Sequence, residues 1–109
     1  MNVRTIALVE MDSTGQLFVR PQSDTEGKYE YIYREANGLR WSRDRRALCA
    51  YEPARWQPEE LFQHIVATLQ STFDETLQLT EDTVWIGVPQ NLQRRLGHGR
   101  QQDLMGGLA

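Results

Sequence analysis

The sequence predicts an α+β fold: an antiparallel sheet of four to five strands, in the chain order ββββαβ, with one long helix packed on one face. Three patterns support this class. Strand-like apolar or alternating runs fill the first half, apolar residues at helical spacing occupy 58–73, and another β-type run follows at 83–88. With 109 residues, we expect one domain over 1–96 and a flexible Gly-rich tail over 97–109.

Two strands are predicted near the N-terminus. Residues 3–11 are apolar on both sides, as in an interior strand. A turn that begins at Asp12 and ends at Gly15 then returns the chain into a second strand, 17–20. Pro21 ends that strand because proline cannot donate a hydrogen bond to the ladder.

The third and fourth strands are predicted as a hairpin within residues 28–46. Asn37-Gly38 separates two alternating runs, and this dipeptide favours a type I′ turn, which needs positive φ at both central residues. The second strand is expected to continue through 47–51 with a bulge near 43–46. Two pairs of opposite charge support the register: Glu35 with Arg40, and Glu30 with Arg45.

Large side chains occupy both faces of this hairpin. One helix covers only one face, so the other is left for a partner or for the C-terminal segment. Tyr, Trp and Arg are frequent interface anchors, and we therefore predict self-association through the uncovered face, as a two-fold dimer or a higher oligomer. One face carries Ile32, Ala36, Leu39 and Trp41, and the other Tyr29, Tyr31, Tyr33 and Ser42. The predicted interface or ligand-binding residues are Tyr29, Tyr31, Tyr33, Trp41, Arg40 and Arg43.

Local signals define the helix most sharply. Gln57 is a plausible N-cap, Pro58 suits the first helical position, and Glu59 and Glu60 complement the helix dipole in the first turn. Trp56 stands before the cap, where an apolar residue packs against the fourth helical position. The apolar stripe comprises Leu61, Phe62, Ile65, Val66, Leu69 and Phe73.

The last third of the chain alternates between polar segments and one strand. Residues 75–82 are predicted as a helix exit and loop, and 83–88 as a strand that Pro89 ends. Gly87 indicates a bulge or a close approach by another backbone. Residues 91–96 are compatible with one short helical turn.

Composition excludes several classes. A net charge of −3 gives no reason to expect a nucleic-acid or membrane partner, and no apolar run approaches the ~20 residues of a membrane span. The N-terminal stretch lacks the features of a signal peptide, so a cytoplasmic location is the default. Cys49 is expected to be a buried, inert thiol.

No catalytic signature is present. The sequence has no Gly-rich phosphate loop, no HExxH, no nucleophile elbow and no EF-hand loop. His64 falls on the polar flank of the predicted helix and His98 between two glycines, and both positions suit solvated side chains. We therefore predict no catalytic residue, no metal site and no cofactor.

Three functions are open at this point. The leading one is a small non-enzymatic binding or assembly protein that self-associates through the aromatic and Arg-bearing sheet face. The alternative is a small-molecule pocket or enzyme at the sheet–helix or subunit junction. A further alternative is single-stranded nucleic-acid binding, in which aromatic rings stack on bases beside guanidinium groups. The residues available for the pocket are Trp41, Tyr31, Tyr33 and Arg43.

The chain as a whole resembles the small orphan proteins carried on bacterial integron gene cassettes. The resemblance lies in the general arrangement, a short single domain of hairpins with one helix and a final strand. It implies no activity, and no site residue follows from it.

Overall fold

The computed structural model describes the backbone of residues 2–22, 29, 32 and 38–105, and the side chains of 3–22, 29, 32 and 38–97. Six strands and two helices have their bounds within these segments, together with a short 3-10 turn, Pro53–Arg55. The elements are β1 (Asn2–Met11), β2 (Leu17–Pro21), β3 (Leu39–Ser42), β4 (Ala47–Ala50), α1 (Pro58–Phe73), β5 (Glu75–Gln78), β6 (Val84–Ile86) and α2 (Gln90–Met105).

The strands form one mixed sheet in the order β3-β4-β2-β1-β5, with β6 also pairing with β1. The pairs β1–β2, β2–β4 and β3–β4 are antiparallel, whereas β5 and β6 run parallel to β1. The predicted α+β class with a long helix on the sheet is confirmed. The expectation of a wholly antiparallel sheet is wrong, because α1 acts as a crossover that carries the chain back before β5 begins.

Strand β1 pairs with three strands: β2 lies along one of its edges, and β5 and β6 lie along the other. Residues 2–5 pair with β5 and residues 8–10 pair with β6. Between these stretches, the Thr83 hydroxyl donates to the Ile6 carbonyl oxygen at 2.7 Å. The segment predicted as a helix exit and loop, 75–82, therefore contains a strand, because β1 offers a long edge that local sequence does not reveal.

Both helices lie on one face of the sheet. The apolar stripe of α1 packs there as predicted, with Gln57 at the N-cap, Pro58 at the first position, and Asp74 ending the helix in the left-handed region at φ 55°. Leu92 and Leu96 of α2 join the same core. The fully buried strand residues of this core include Ile6, Val9, Leu17, Val19, Leu39, Leu48 and Leu77.

Of the predicted hairpin centred on Asn37-Gly38, the strand after the turn is confirmed over Leu39–Ser42, whereas the strand before it is wrong at Tyr29 and Ile32. Tyr29 and Ile32 have helical backbones. The observed hairpin is β3–β4, which turns at residues 43–46, the segment predicted to form a bulge. Tyr29 and Ile32 are both fully buried in the core, whereas the predicted strand places them on opposite faces.

Helix α2 is longer than the single turn predicted for 91–96. It begins at Gln90, directly after Pro89, and extends to Met105. Leu92 and Leu96 cover the helix side of the sheet, so these two side chains do not cover the opposite face. The expected mobility of 97–109 stays a prediction.

A network at Asp12 holds the turn between β1 and β2. Its Oδ1 accepts hydrogen bonds from the Thr14 hydroxyl at 2.7 Å, the Gln16 backbone N–H at 2.9 Å and the Thr14 backbone N–H at 3.0 Å. These bonds favour the charged carboxylate, the Thr14 hydroxyl most strongly, and they lower the pKa of Asp12 from its ordinary value of 3.8.

This lowered pKa predicts an acid-dependent share of stability. The contribution of Asp12 is fully present above its unfolded-state pKa and is lost as pH falls through the lower folded-state value. We expect Asp12→Asn, which keeps the Oδ1 acceptor, to be less stable than wild type at pH 7 and to approach wild type below about pH 3.8. Urea unfolding at pH 7, 5 and 3 measures this, with Asp82→Asn as the control in an exposed turn. A difference that does not change with pH would contradict the assignment.

Candidate binding surface

Tyr29 belongs to the core and not to a surface. Its side chain is fully buried, and its ring stacks on Trp41 with centroids 5.3 Å apart and meets Phe73 edge-on at 5.7 Å. Its hydroxyl donates to Glu75 Oε1 at 2.8 Å. In this structure Tyr29 therefore stabilises the fold, and its predicted place on an exposed sheet face is wrong, because its backbone is helical.

The other predicted site residues are divided between the two sides of the sheet. Trp41 pairs with Leu48 and packs against the core, whereas Arg40 pairs with Cys49 on the opposite face and is exposed. Arg43 is exposed in the turn after β3. Tyr31 and Tyr33 lie outside the described residues. The structure thus brings Tyr29 and Trp41 together and separates both from Arg40.

Sequence reasoning missed a buried carboxylate next to Tyr29. Glu75, the first residue of β5, has no exposed surface. Besides the Tyr29 hydroxyl, Nε of Arg4 donates to its Oε2 at 3.3 Å, and the Arg4 side chain is about one-third exposed at 32%. Because the Glu75 carboxylate is buried and hydrogen-bonded, it has a structural role: it connects Tyr29 and Arg4. No local pattern identifies it, because a glutamate after a helix ordinarily indicates a solvated loop.

The side of the sheet away from the helices is called the open sheet face here. A small cluster of three buried residues lies at its centre: Phe18, Ala47 and Cys49. The guanidinium of Arg45 lies 4.4 Å from the Phe18 ring centroid, and Nη1 of Arg45 donates to Glu10 Oε2 at 2.6 Å. The Arg45 side chain covers this aromatic ring, so the ring is not free to stack on a ligand.

The exposed apolar part of the open sheet face lies on β1 and β6. Val84 and Ile86 are level with Leu8 and Glu10 of β1, while Trp85 between them points into the core. Ile6 faces the core, so alternation puts Val3 on the opposite, open face, and the bulge between Ile6 and Leu8 brings Leu8 and Glu10 onto that face as well. The exposed fractions are 61% for Val3, 52% for Val84 and 48% for Ile86. Three branched aliphatic side chains are therefore presented to solvent on one side of the sheet.

Cys49 supplies no reactive group to this face. The thiol is buried, as the sequence predicted, and its burial raises its pKa although Arg40 and Arg45 act in the opposite direction. A protonated, buried thiol is a poor nucleophile and metal ligand. Within the segments that the structure describes, no three His, Cys, Asp or Glu side chains are grouped to hold a metal ion.

Helices of the described segments do not reach the length and apolar content needed to cross a membrane. The open sheet face presents exposed aliphatic side chains at one edge and exposed arginines toward the other.

Comparison with known proteins places this sequence beside one group. The family model described as Integron Cassette Protein Hfx_Cass5 matches residues 4–83. A solved structure from the mobile metagenome of North West Arm Sewage Outfall, also described as Integron Cassette Protein Hfx_Cass5, is 32% identical and covers 93% of this chain and 98% of its own, with a TM-score of 0.41. No curated protein matches. Neither description states an activity.

Proposed function

This chain belongs to the family of integron cassette protein Hfx_Cass5, as the resemblance in its sequence predicted, and we propose that it is a small non-enzymatic protein that assembles with a second copy of itself through the open sheet face. We place this assembly in the cytoplasm. The proposal rests chiefly on the aliphatic patch of Val84 and Ile86 on β6, and Val3 is a third exposed aliphatic side chain farther along the same face. Clustered exposed aliphatic residues are typical of contact sites.

The distribution of charge favours a second copy as the occupant. Arg40 is exposed on β3, at one edge of the sheet. Glu81 and Asp82 are exposed in the turn that precedes β6, at the other edge. A two-fold axis that lies between the two sheets and parallel to their strands brings the open faces together and places the β3 edge of one copy over the β6 edge of the other. The acidic edge of each copy then faces the basic edge of the other. Opposite charges across an interface favour the correct orientation.

The aliphatic patch gives the sharpest test. Ile86→Glu adds a charge where the proposal removes solvent, while its exposed position leaves the core intact. We expect wild type to sediment as a dimer at tens of micromolar and Ile86→Glu as a monomer, because an unpaired buried charge is costly. Ala67→Glu, a change of similar chemistry at an exposed position of α1, is the matched control and is expected to remain dimeric. A monomeric wild type at this concentration overturns the proposal.

Charge reversal tests the orientation of the two copies. Arg40→Glu alone is expected to weaken the dimer, since it places an acidic group opposite Glu81 and Asp82. Combining it with Glu81→Arg and Asp82→Arg restores opposite charges and is expected to recover most of the affinity. Both effects should decrease as salt is raised from about 0.05 to 0.5 M, because salt screens exposed charges. Failure of the combined variant to recover would reject this orientation even if a dimer exists.

A further inference from the structure

A cleft with a volume of about 530 Å³ opens on the helix side of the molecule, away from the open sheet face. Its described walls come from the residue before β3, the segment after β4 that includes the 3-10 turn, and the start of α1: Gly38, Glu52, Arg55, Trp56 and Glu60. This volume falls in the range of roughly 300–1,000 Å³ that small-molecule sites occupy. The cleft is therefore large enough for a ligand of two or three fused rings.

Trp56 is the rigid wall of the cleft. Its indole stacks on the imidazole of His64 with centroids 4.7 Å apart and planes at 22°. Its Cζ2 atom would lie 3.1 Å from a Cβ at residue 38, so Gly38 allows this close packing. Gly38 also has φ 91°, which favours glycine independently. An aromatic side chain fixed on two sides loses little entropy when a flat ring packs against it.

The charged residues of the cleft determine which charge on a ligand is favoured. Arg55 and Glu52 form a pair at 3.8 Å and largely neutralise one another. Glu59, on the neighbouring position of the helix, pairs with Arg95 at 3.6 Å. Glu60 has no ion-pair partner among the described residues. The carboxylate of Glu60 thus has no cationic side chain paired with it among the described residues, and only the positive N-terminal end of the α1 dipole offsets part of its charge.

We infer that this cleft binds a flat aromatic ring that carries a cationic amino or amidinium group. The ring packs against the indole of Trp56, where a cation is attracted by the negative face of the π-system. The cationic group meets the carboxylate of Glu60. This site is independent of the proposed assembly, because the cleft and the open sheet face use different residues on opposite sides of the sheet.

Three acridines of similar shape and different charge test the inference. The probe is cationic 9-aminoacridine, with neutral acridine and anionic acridine-9-carboxylate as its matched analogues. Fluorescence anisotropy of each probe is titrated with the full chain at low salt. We expect saturable binding with one site per chain, in the order cation, neutral ring, anion from tightest to weakest. No saturable binding of 9-aminoacridine, or equal affinity for the three probes, overturns the inference.

Substitutions at two exposed residues are expected to change the affinity for 9-aminoacridine in opposite directions. Glu60→Gln is expected to weaken 9-aminoacridine binding by about two- to fivefold, the size of a solvent-exposed charge pair. Arg55→Gln removes the cation that neutralises Glu52 and is expected to tighten binding. Glu59→Gln, one position from Glu60 and outside the cleft, is the control and should bind like wild type. Thermal unfolding of each variant verifies its fold. Equal affinities for the Glu60 and Glu59 variants would exclude Glu60 as the recognition group.

Discussion

Glu75→Leu is expected to lower the free energy of unfolding by about 2–4 kcal/mol, although it replaces a buried charged group with an apolar one of similar size. The substitution removes an acceptor from the Tyr29 hydroxyl, which donates to Glu75 at 2.8 Å in a site without solvent access. It also removes the carboxylate that faces Arg4. Urea denaturation measures the loss. Glu81→Leu, the same change at an exposed position, is the control and should alter stability by less than about 0.5 kcal/mol.

A double-mutant cycle distinguishes the network from simple repacking. Tyr29→Phe alone is expected to cost about 1 kcal/mol, because Glu75 loses a buried donor. In the Glu75→Leu background the same change should cost much less, since both polar partners are then gone. A coupling free energy near zero between Tyr29 and Glu75 would show that the hydrogen bond does not contribute to stability.

Gly87→Ala is expected to destabilise the protein by about 2–4 kcal/mol, through two separate effects. Gly87 has φ 70°, in the left-handed region that disfavours a side chain. A Cβ at this position would also overlap the carbonyl oxygen of Met11, the last residue of β1. The close backbone approach predicted from the sequence is thereby confirmed, and it fixes the end of β6 against the end of β1. Thermal and urea unfolding measure the loss.

Two other glycines separate these effects. Gly15 has φ 88° and open space where a Cβ would lie, so Gly15→Ala should show the conformational cost alone, about 1–2 kcal/mol. Gly97 lies in α2, and a Cβ there would meet nothing within 4 Å. Gly97→Ala is therefore expected to raise stability by about 0.5–1 kcal/mol. If all three variants lost the same free energy, the contact with Met11 would have no role.

Helix α1 illustrates what the sequence predicts well. Its start depends on Gln57, Pro58 and two acidic residues of the first turn, and its buried face depends on apolar spacing within sixteen residues. These signals are local, because each acts on neighbours along the chain. The first two strands and the turn at Asp12 are predictable for the same reason.

The segment around Tyr29 and Ile32 illustrates where the sequence misleads. Alternation suggests a strand with these residues on opposite faces, yet both are helical and enter one core. Over three or four apolar positions the strand and helix periods are hard to distinguish, and β-forming residues favour the wrong one here. The candidate interface therefore consists of other residues than those predicted. Its aromatic members belong to the core or lie outside the described residues, whereas Val84 and Ile86 supply the exposed patch, with Val3 exposed farther along the same face.

By itself, the sequence determined the α+β class, the long helix on the sheet, the buried thiol of Cys49 and the resemblance to integron cassette proteins. Tertiary structure decided the parallel pairing of β5 and β6 with β1, the burial of Glu75 beside Tyr29, and the cleft at Trp56. The physical reason is distance along the chain. Caps, turns and periodicity act between neighbouring residues, whereas Arg4 and Glu75 are separated by 71 positions and meet only when the crossover through α1 brings β5 back to β1.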